Sequence, residues 1–203
     1  ANVRSTPTTV KSEKTADGVW FIDGDSHNSV LVEMKDYLIV VEAPLGDDRS
    51  TAVMAEVKKL VPNKPIKYLV NTHHHFDHSG GIRTYVAWGL PILTTAGNRA
   101  FIEKMASGKH TLRPDSLSRD PKKALIETFT TKKVLTDGTR TLELHDVGPS
   151  PHVGEMVVAY LPKEKVLFVA DLLSIQPGPV APASPALVDF ADKITKLGLS
   201  VDT

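Results

Sequence analysis

Short apolar runs alternate with stretches of helical period along this chain, and the alternation predicts its elements. "VWFIDG", "SVLVEM" and "YLIVVEA" (Tyr37 to Ala43) read as strands that open the fold as antiparallel neighbours. From Arg49 to Leu60, the residues Val53, Met54, Val57 and Leu60 fall at helical spacing behind Asp48 or Ser50 as candidate caps. "IKYLV" is a strand, Arg83 to Trp88 a short helix, "PILTT" a strand and Asn98 to Ala106 a helix. Ser107 to Lys122 carries Gly, Pro, Ser and charges without a period and reads as a surface insertion. Two hairpins follow, "KVLTDGTRTLELHDV" around Asp137-Gly138 and "MVVAYLPKEKVLFVA" around Pro162 to Lys165. Beyond the proline-rich "QPGPVAPASP", where Pro177, Pro179, Pro182 and Pro185 form a stiff connector or, as the alternative, a wall beside Asp171, Leu187 to Leu197 carries an apolar stripe expected in the core. Gly198 can end that helix. The division is a flexible lead over 1–17 and one domain over 18–203.

With 203 residues and 41% hydrophobic content, the chain can bury one sizeable core and reads as a soluble globular protein. Its 24 basic residues balance 24 acidic ones, which removes the electrostatic footprint of a nucleic-acid binder. No apolar run approaches the roughly 20 residues of a membrane span, and the polar start lacks the apolar core of a secretory signal. A small-molecule substrate is the expected partner, with neither nucleic acid nor membrane. A start at Ala1 reads as a processed or excised piece, and with no cysteine the redox compartment stays unassigned, as does the oligomeric state.

The chemistry concentrates in "NTHHHFDHSGG", where four histidines and one aspartate crowd His73 to His78 directly after the apolar run Ile66 to Val70. Strand ends of this kind are where α/β folds place sites. If the segment stays extended, His73 and His75 share one side, while Asp77 and His78 turn toward a neighbouring point, so two metal positions become possible. Imidazole with carboxylate suits zinc, with iron or manganese as alternatives. Farther along, His152 sits in a Pro- and Gly-containing loop between two strands. Asp171 follows an apolar strand, where a buried carboxylate needs a charged partner. His74 lies between two candidate ligands and is expected to point away. His27, His110 and His145 have no partner in sequence and read as surface or internally satisfied residues.

At these residues the chain resembles the metallo-β-lactamase superfamily, whose H-x-H-x-D-H motif stands here as His73, His75, Asp77 and His78. The likeness extends from about Gly18 through "SPHVGEMVVAYLP" and "VLFVADLL". It implies an α/β (α+β) fold, the αβ/βα four-layer sandwich with two mixed sheets face to face, helices outside and metals at one edge. It implies a first position held by His73, His75 and His152, and a second held by Asp77, His78 and Asp171, with Asp171 bridging. Asp25 to Asn28 would line the opening. The activity implied is hydrolysis of an ester, thioester, lactone or related bond, with one or two zinc ions acidifying water toward a pKa of about 7 and Asp77 orienting the resulting hydroxide. Aspartate rather than cysteine at position 171 resembles the glyoxalase II, lactonase and arylsulfatase branches. Two other readings keep the fold: a persulfide-dioxygenase-like enzyme with one iron on His73, His152 and Asp171, or a metal-binding domain without turnover. The family places a further histidine on a strand after the last helix. None follows His152 here, so the reading is of a domain truncated before its final strand, with a second position one ligand short.

Overall fold

Two sheets share the core in the computed structural model, which describes residues 8–173 and 182–203. The larger sheet follows chain order through β1 (Lys11–Ala16), β2 (Val19–Asp23), β3 (Ser29–Glu33), β4 (Leu38–Val41), β5 (Ile66–Val70), β6 (Ile92–Thr95) and β7 (Ile126–Phe129). β1 through β4 pair antiparallel, and β4 through β7 pair parallel. The parallel steps need crossovers. These are supplied by α1 (Asp47–Leu60), by α2 (Phe76–Ser79) with α3 (Ile82–Ala87), and by α4 (Arg99–Ser107) with α5 (Ser116–Arg119). The smaller sheet orders β11 (Val166–Phe168), β10 (Val157–Leu161), β9 (Thr141–Asp146) and β8 (Lys132–Thr136), and α6 (Pro185–Leu197) follows.

Period-two alternation assigns each strand's faces. On β4, Ile39 and Val41 enter the cluster between the sheets with Val70, Leu93, Leu144 and Val157, while Leu38 and Val40 face outward. There they meet Val53, Met54 and Val57 of α1 and Ile82 and Tyr85 of α3. Such two-sided burial explains why β4 is continuously apolar. On the far side, Phe190 of α6 packs with Val147, Val153, Met156 and Val158. The layers therefore run helices, sheet, sheet, helix. Among the described residues, no helix is long and apolar enough to cross a membrane.

Several expectations change. The lead is not flexible throughout: residues 1–7 lie outside the described residues, but Lys11–Ala16 form β1, paired with β2 from Lys11 opposite Asp23 to Ala16 opposite Val19. Its side chains are mostly polar because it is an edge strand, held by its ladder rather than by an apolar face. β7 is a second edge strand without a strong period. The four strands of the smaller sheet pair antiparallel, as two consecutive hairpins joined through β9 and β10, and Thr203 meets Val166 of β11 with the bonding of a parallel pair. α1 starts at Asp47 behind Gly46, so Asp48 and Ser50 lie within the helix and do not cap it. The insertion Ser107 to Lys122 is not all surface, because it contains α5, whose Leu117 is buried beneath the helices. On α6 the stripe is shallower than expected: Phe190 is buried, whereas Leu197 is 41% exposed. Pro185 opens that helix, while Pro177 and Pro179 lie outside the described residues. Asp202 and Thr203 donate backbone N–H bonds to the Lys165 carbonyl, and Leu167 donates to Thr203, so the last residues run beside β11.

Candidate metal centre

Strand direction brings the site together. β2, β4 and β5 all end at one edge of the larger sheet, because two successive antiparallel pairings return β2 and β4 to the same direction. The loops behind those ends carry His27, Glu42 and His73. The smaller sheet meets the same edge, with the backbone N–H of Val157 donating to the Thr72 carbonyl at 2.9 Å. This seam places the β9–β10 loop, with His152, and the residues after β11, with Asp171, opposite the histidine cluster.

His73, His75, His152 and Asp171 each direct a ligand atom into one volume, all within 4.8 Å of one another. The Nε2 atoms of His73 and His152 stand 3.4 Å apart. That spacing matches the roughly 3.4 Å between two nitrogens on a tetrahedral zinc with bonds of about 2.0–2.1 Å. Asp171 Oδ2 lies 2.8 Å from His152 Nε2 and 3.3 Å from His73 Nε2, while its Oδ1 lies 2.8 Å from His78 Nε2. One carboxylate thus faces two sets of imidazoles. The His73 and His78 imidazoles beside it hold it well below the usual carboxylate range. Burial and the neighbouring imidazoles together depress the His75 pKa.

A second group, His27, Asp77 and His78, also has its ligand atoms within 4.8 Å of one another. His78 is buried, and its Nδ1 donates to Glu42 Oε2 at 2.5 Å. Burial would lower its pKa, but the Asp171 and Glu42 carboxylates beside it outweigh that and push it up to about 10. Partial burial likewise opposes ionisation of Asp77, yet a backbone bond, His78 and His27 draw its carboxyl below the ordinary value. The arrangement favours a positive charge held among these groups, which is what a divalent cation supplies. A further sign is steric: His78 Nε2 is buried and close to Asp171, yet it is not aligned as a hydrogen bond with any partner. An orphaned imidazole nitrogen among carboxylates and other imidazoles fits a metal donor set.

Sequence reasoning missed two residues here. Glu42, fully buried at the end of β4, has φ 75, a conformation that costs a non-glycine residue on the order of 1–3 kcal/mol. In return its carboxylate accepts the Thr72 N–H at 2.9 Å and orients His78. A charge terminating an apolar strand was the available signal. His27, expected at the surface or satisfied elsewhere, instead faces Asp77, with Nε2 at 3.1 Å from Oδ2. Its loop, Asp25 to Asn28, lines a cavity of about 860 Å³ with His78, Asp171, Phe21, Val30 and Phe168, in keeping with the expected opening. The other histidines behave as expected. His74 stands 5.4 Å from the Phe101 ring, outside both groups. His145 contacts Glu143 and the half-exposed His110 contacts Asp115.

A profile of the Metallo-beta-lactamase superfamily matches residues 22–202. Among solved structures, the chain is similar to a metallo-beta-lactamase from Pontibacter korlensis, with TM-score 0.72 and 19% identity, covering 95% of this chain and 88% of that one. It is also similar to the metallo-beta-lactamase FIM-1 from Pseudomonas aeruginosa in its mono-zinc form, with TM-score 0.62 and 17% identity over 95% and 84% of the two chains. A linear primary-alkylsulfatase from Pseudomonas sp. (strain ATCC 19151) is 39% identical over 57 residues, 28% of this chain but only 11% of that protein.

Proposed function

This chain belongs to the metallo-β-lactamase superfamily, and from that premise we propose that it is a metal-dependent hydrolase acting on an ester, thioester, lactone or related bond. The observation that carries this reading is the single carboxylate of Asp171, turned with Oδ2 to His73 and His152 and with Oδ1 to His78. In this reading His73, His75 and His152 hold the first metal, Asp77 and His78 belong to the second, and Asp171 stands between them. Zinc suits the nitrogen-rich first set, with iron or manganese as alternatives. A bound divalent cation would acidify water and polarise the bond under attack.

The chain's own residues do the rest. Asp77, ionised and partly exposed, orients the attacking water and accepts its proton. Water then adds across the bond, the hydroxyl going to the acyl, phosphoryl or sulfuryl centre and the proton to the leaving group. Glu42 keeps His78 turned inward through Nδ1, the kind of outer support that fixes a ligand's tautomer. Phe21, Val30 and Phe168 give the cavity an apolar wall for the non-reacting part of a substrate. The partial match to an alkylsulfatase adds linear sulfate esters to the candidates. The second donor group beside the first favours this reading over a mononuclear iron oxygenase.

The test is a panel containing a carboxylic ester, a thioester, a lactone and a linear alkyl sulfate, offered to chelator-stripped and zinc-reloaded protein. Turnover of at least one member, lost on stripping and restored by zinc, is expected. Oxygen uptake with one iron per chain, and no hydrolysis under any metal, would replace the proposal with the oxygenase reading.

A further inference from the structure

We infer that His27 is itself a metal ligand, completing with Asp77 and His78 the second position of the centre. The inference rests on the hydrolase reading's metal centre and adds a donor that neither the motif nor the likeness supplies.

Three observations carry it. The first is a shared orientation. His73 Nδ1 meets Thr72 Oγ1 at 3.0 Å, His78 Nδ1 meets Glu42 Oε2 at 2.5 Å, and His27 Nδ1 meets Ser26 Oγ at 3.0 Å. In the tautomer that donates Nδ1–H to these oxygens, each ring presents its Nε2 lone pair inward, as metal-binding histidines do. His27 therefore carries the same outer support as the two motif histidines.

The second is convergence. His27 Nε2 lies 3.1 Å from Asp77 Oδ2, and its ring stands edge-on to His78 with centroids 5.2 Å apart. His78 Nε2 lies 4.0 Å from the same Asp77 oxygen and 2.8 Å from Asp171 Oδ1. Two imidazoles and the Asp77 carboxylate thus meet around one point, all within 4.8 Å of one another, and Asp171 reaches the His78 end of that set from the first group, so His27 is the third donor of the position. The third is the loop's anchorage. Arg49 of α1, itself buried, donates through Nη1 to the His27 carbonyl at 2.7 Å and through Nη2 to the Gly24 carbonyl. Gly24 leaves room for this clamp, since a Cβ there would fall 1.6 Å from Arg49 Nη1. Asn28 Oδ1 accepts the Gly24 N–H at 3.1 Å and closes the turn. A ligand on a loop braced in this way is held in place before metal arrives, which limits the ordering entropy that binding must overcome.

The experiment is equilibrium dialysis of the chelator-stripped protein against Zn²⁺, with metal counted per chain, for wild type and for His27→Ala, His27→Gln and His73→Ala. Thermal unfolding of each metal-free variant verifies the fold. Wild type is expected to bind two zinc ions. His27→Ala should keep the first and bind the second at least about 100-fold more weakly, beyond the 10–100-fold typical of losing an outer contact. His27→Gln decides between ligation and support, because its amide can still donate to Asp77 but is a poor zinc ligand, so it should lose the second ion as alanine does. Two tightly held ions in either His27 variant, or only one in wild type, would overturn the inference and leave the hydrolase reading standing. No zinc in wild type, or unchanged binding in His73→Ala, would instead remove the metal centre on which both rest.

Discussion

Alanine at His152 is expected to strip the first metal position, weakening zinc binding by well over 100-fold, whereas alanine at His74 should change it by no more than about 10-fold. His152 contributes an imidazole whose Nε2 faces His73 and Asp171 at 3.4 and 2.8 Å. Removing it leaves His73, His75 and Asp171 around a volume open on the side it filled. His74 sits between two of those ligands in sequence, but its ring packs against Phe101 and edge-on against His75 and offers no ligand atom to the group, so its loss acts only through packing and backbone. Losses confined to groups outside the coordination sphere usually reach 10 to 100-fold, which separates the two outcomes. Competition against a chromophoric chelator measures both affinities, and comparable losses in the two variants would mean that the alternation along His73 to His75 runs the other way.

Asparagine at Asp115 is expected to lower stability by about 3–5 kcal/mol near neutral pH without touching a ligand of the centre. Arg83 on α3 is buried, and its Nε and Nη2 donate to the two Asp115 oxygens at 2.5 and 3.0 Å. Its Nη1 reaches the carbonyls of Met105, Ala106 and Gly108, which ties the C-terminal end of α4 to the helix that follows the histidine motif. The variant would leave the guanidinium buried without its counter-charge. Burial opposes ionisation of Asp115, but Arg83 and Ser118 outweigh it and hold the carboxyl well below its ordinary value of 3.8. A carboxylate depressed on folding contributes its stability in full above the unfolded value and loses it as pH falls toward the folded one. The gap between wild type and variant in urea unfolding should therefore be widest near neutrality and shrink once the pH drops below 3.8.

Apolar period and motif made much of this molecule legible in the sequence. β2 to β5 and both hairpins carry enough buried side chains to announce themselves, and the H-x-H-x-D-H spacing marked the right strand end. β1 and β7 were silent because edge strands are held by backbone pairing that leaves little trace in side-chain pattern. The buried part of the insertion was hidden for a related reason: its anchors are contacts distant in sequence, among them the Arg83–Asp115 ion pair, 32 positions apart, and the Ser116 N–H to Asp47. His27 stands 50 positions before Asp77, and only the shared direction of β2 and β4 brings its loop to the centre. Glu42 was in plain view at the end of "YLIVVEA", but its role depends on a left-handed backbone that no local sequence pattern announces.

Anomalous diffraction from crystals of the zinc-loaded protein, with data on both sides of the zinc absorption edge, tests the metal centre most directly. The account predicts a peak among His73 Nε2, His75, His152 Nε2 and Asp171 Oδ2, at about 2.0–2.1 Å from the imidazole nitrogens. Fully loaded crystals with no anomalous density among these four residues, the zinc being bound only elsewhere, would contradict it.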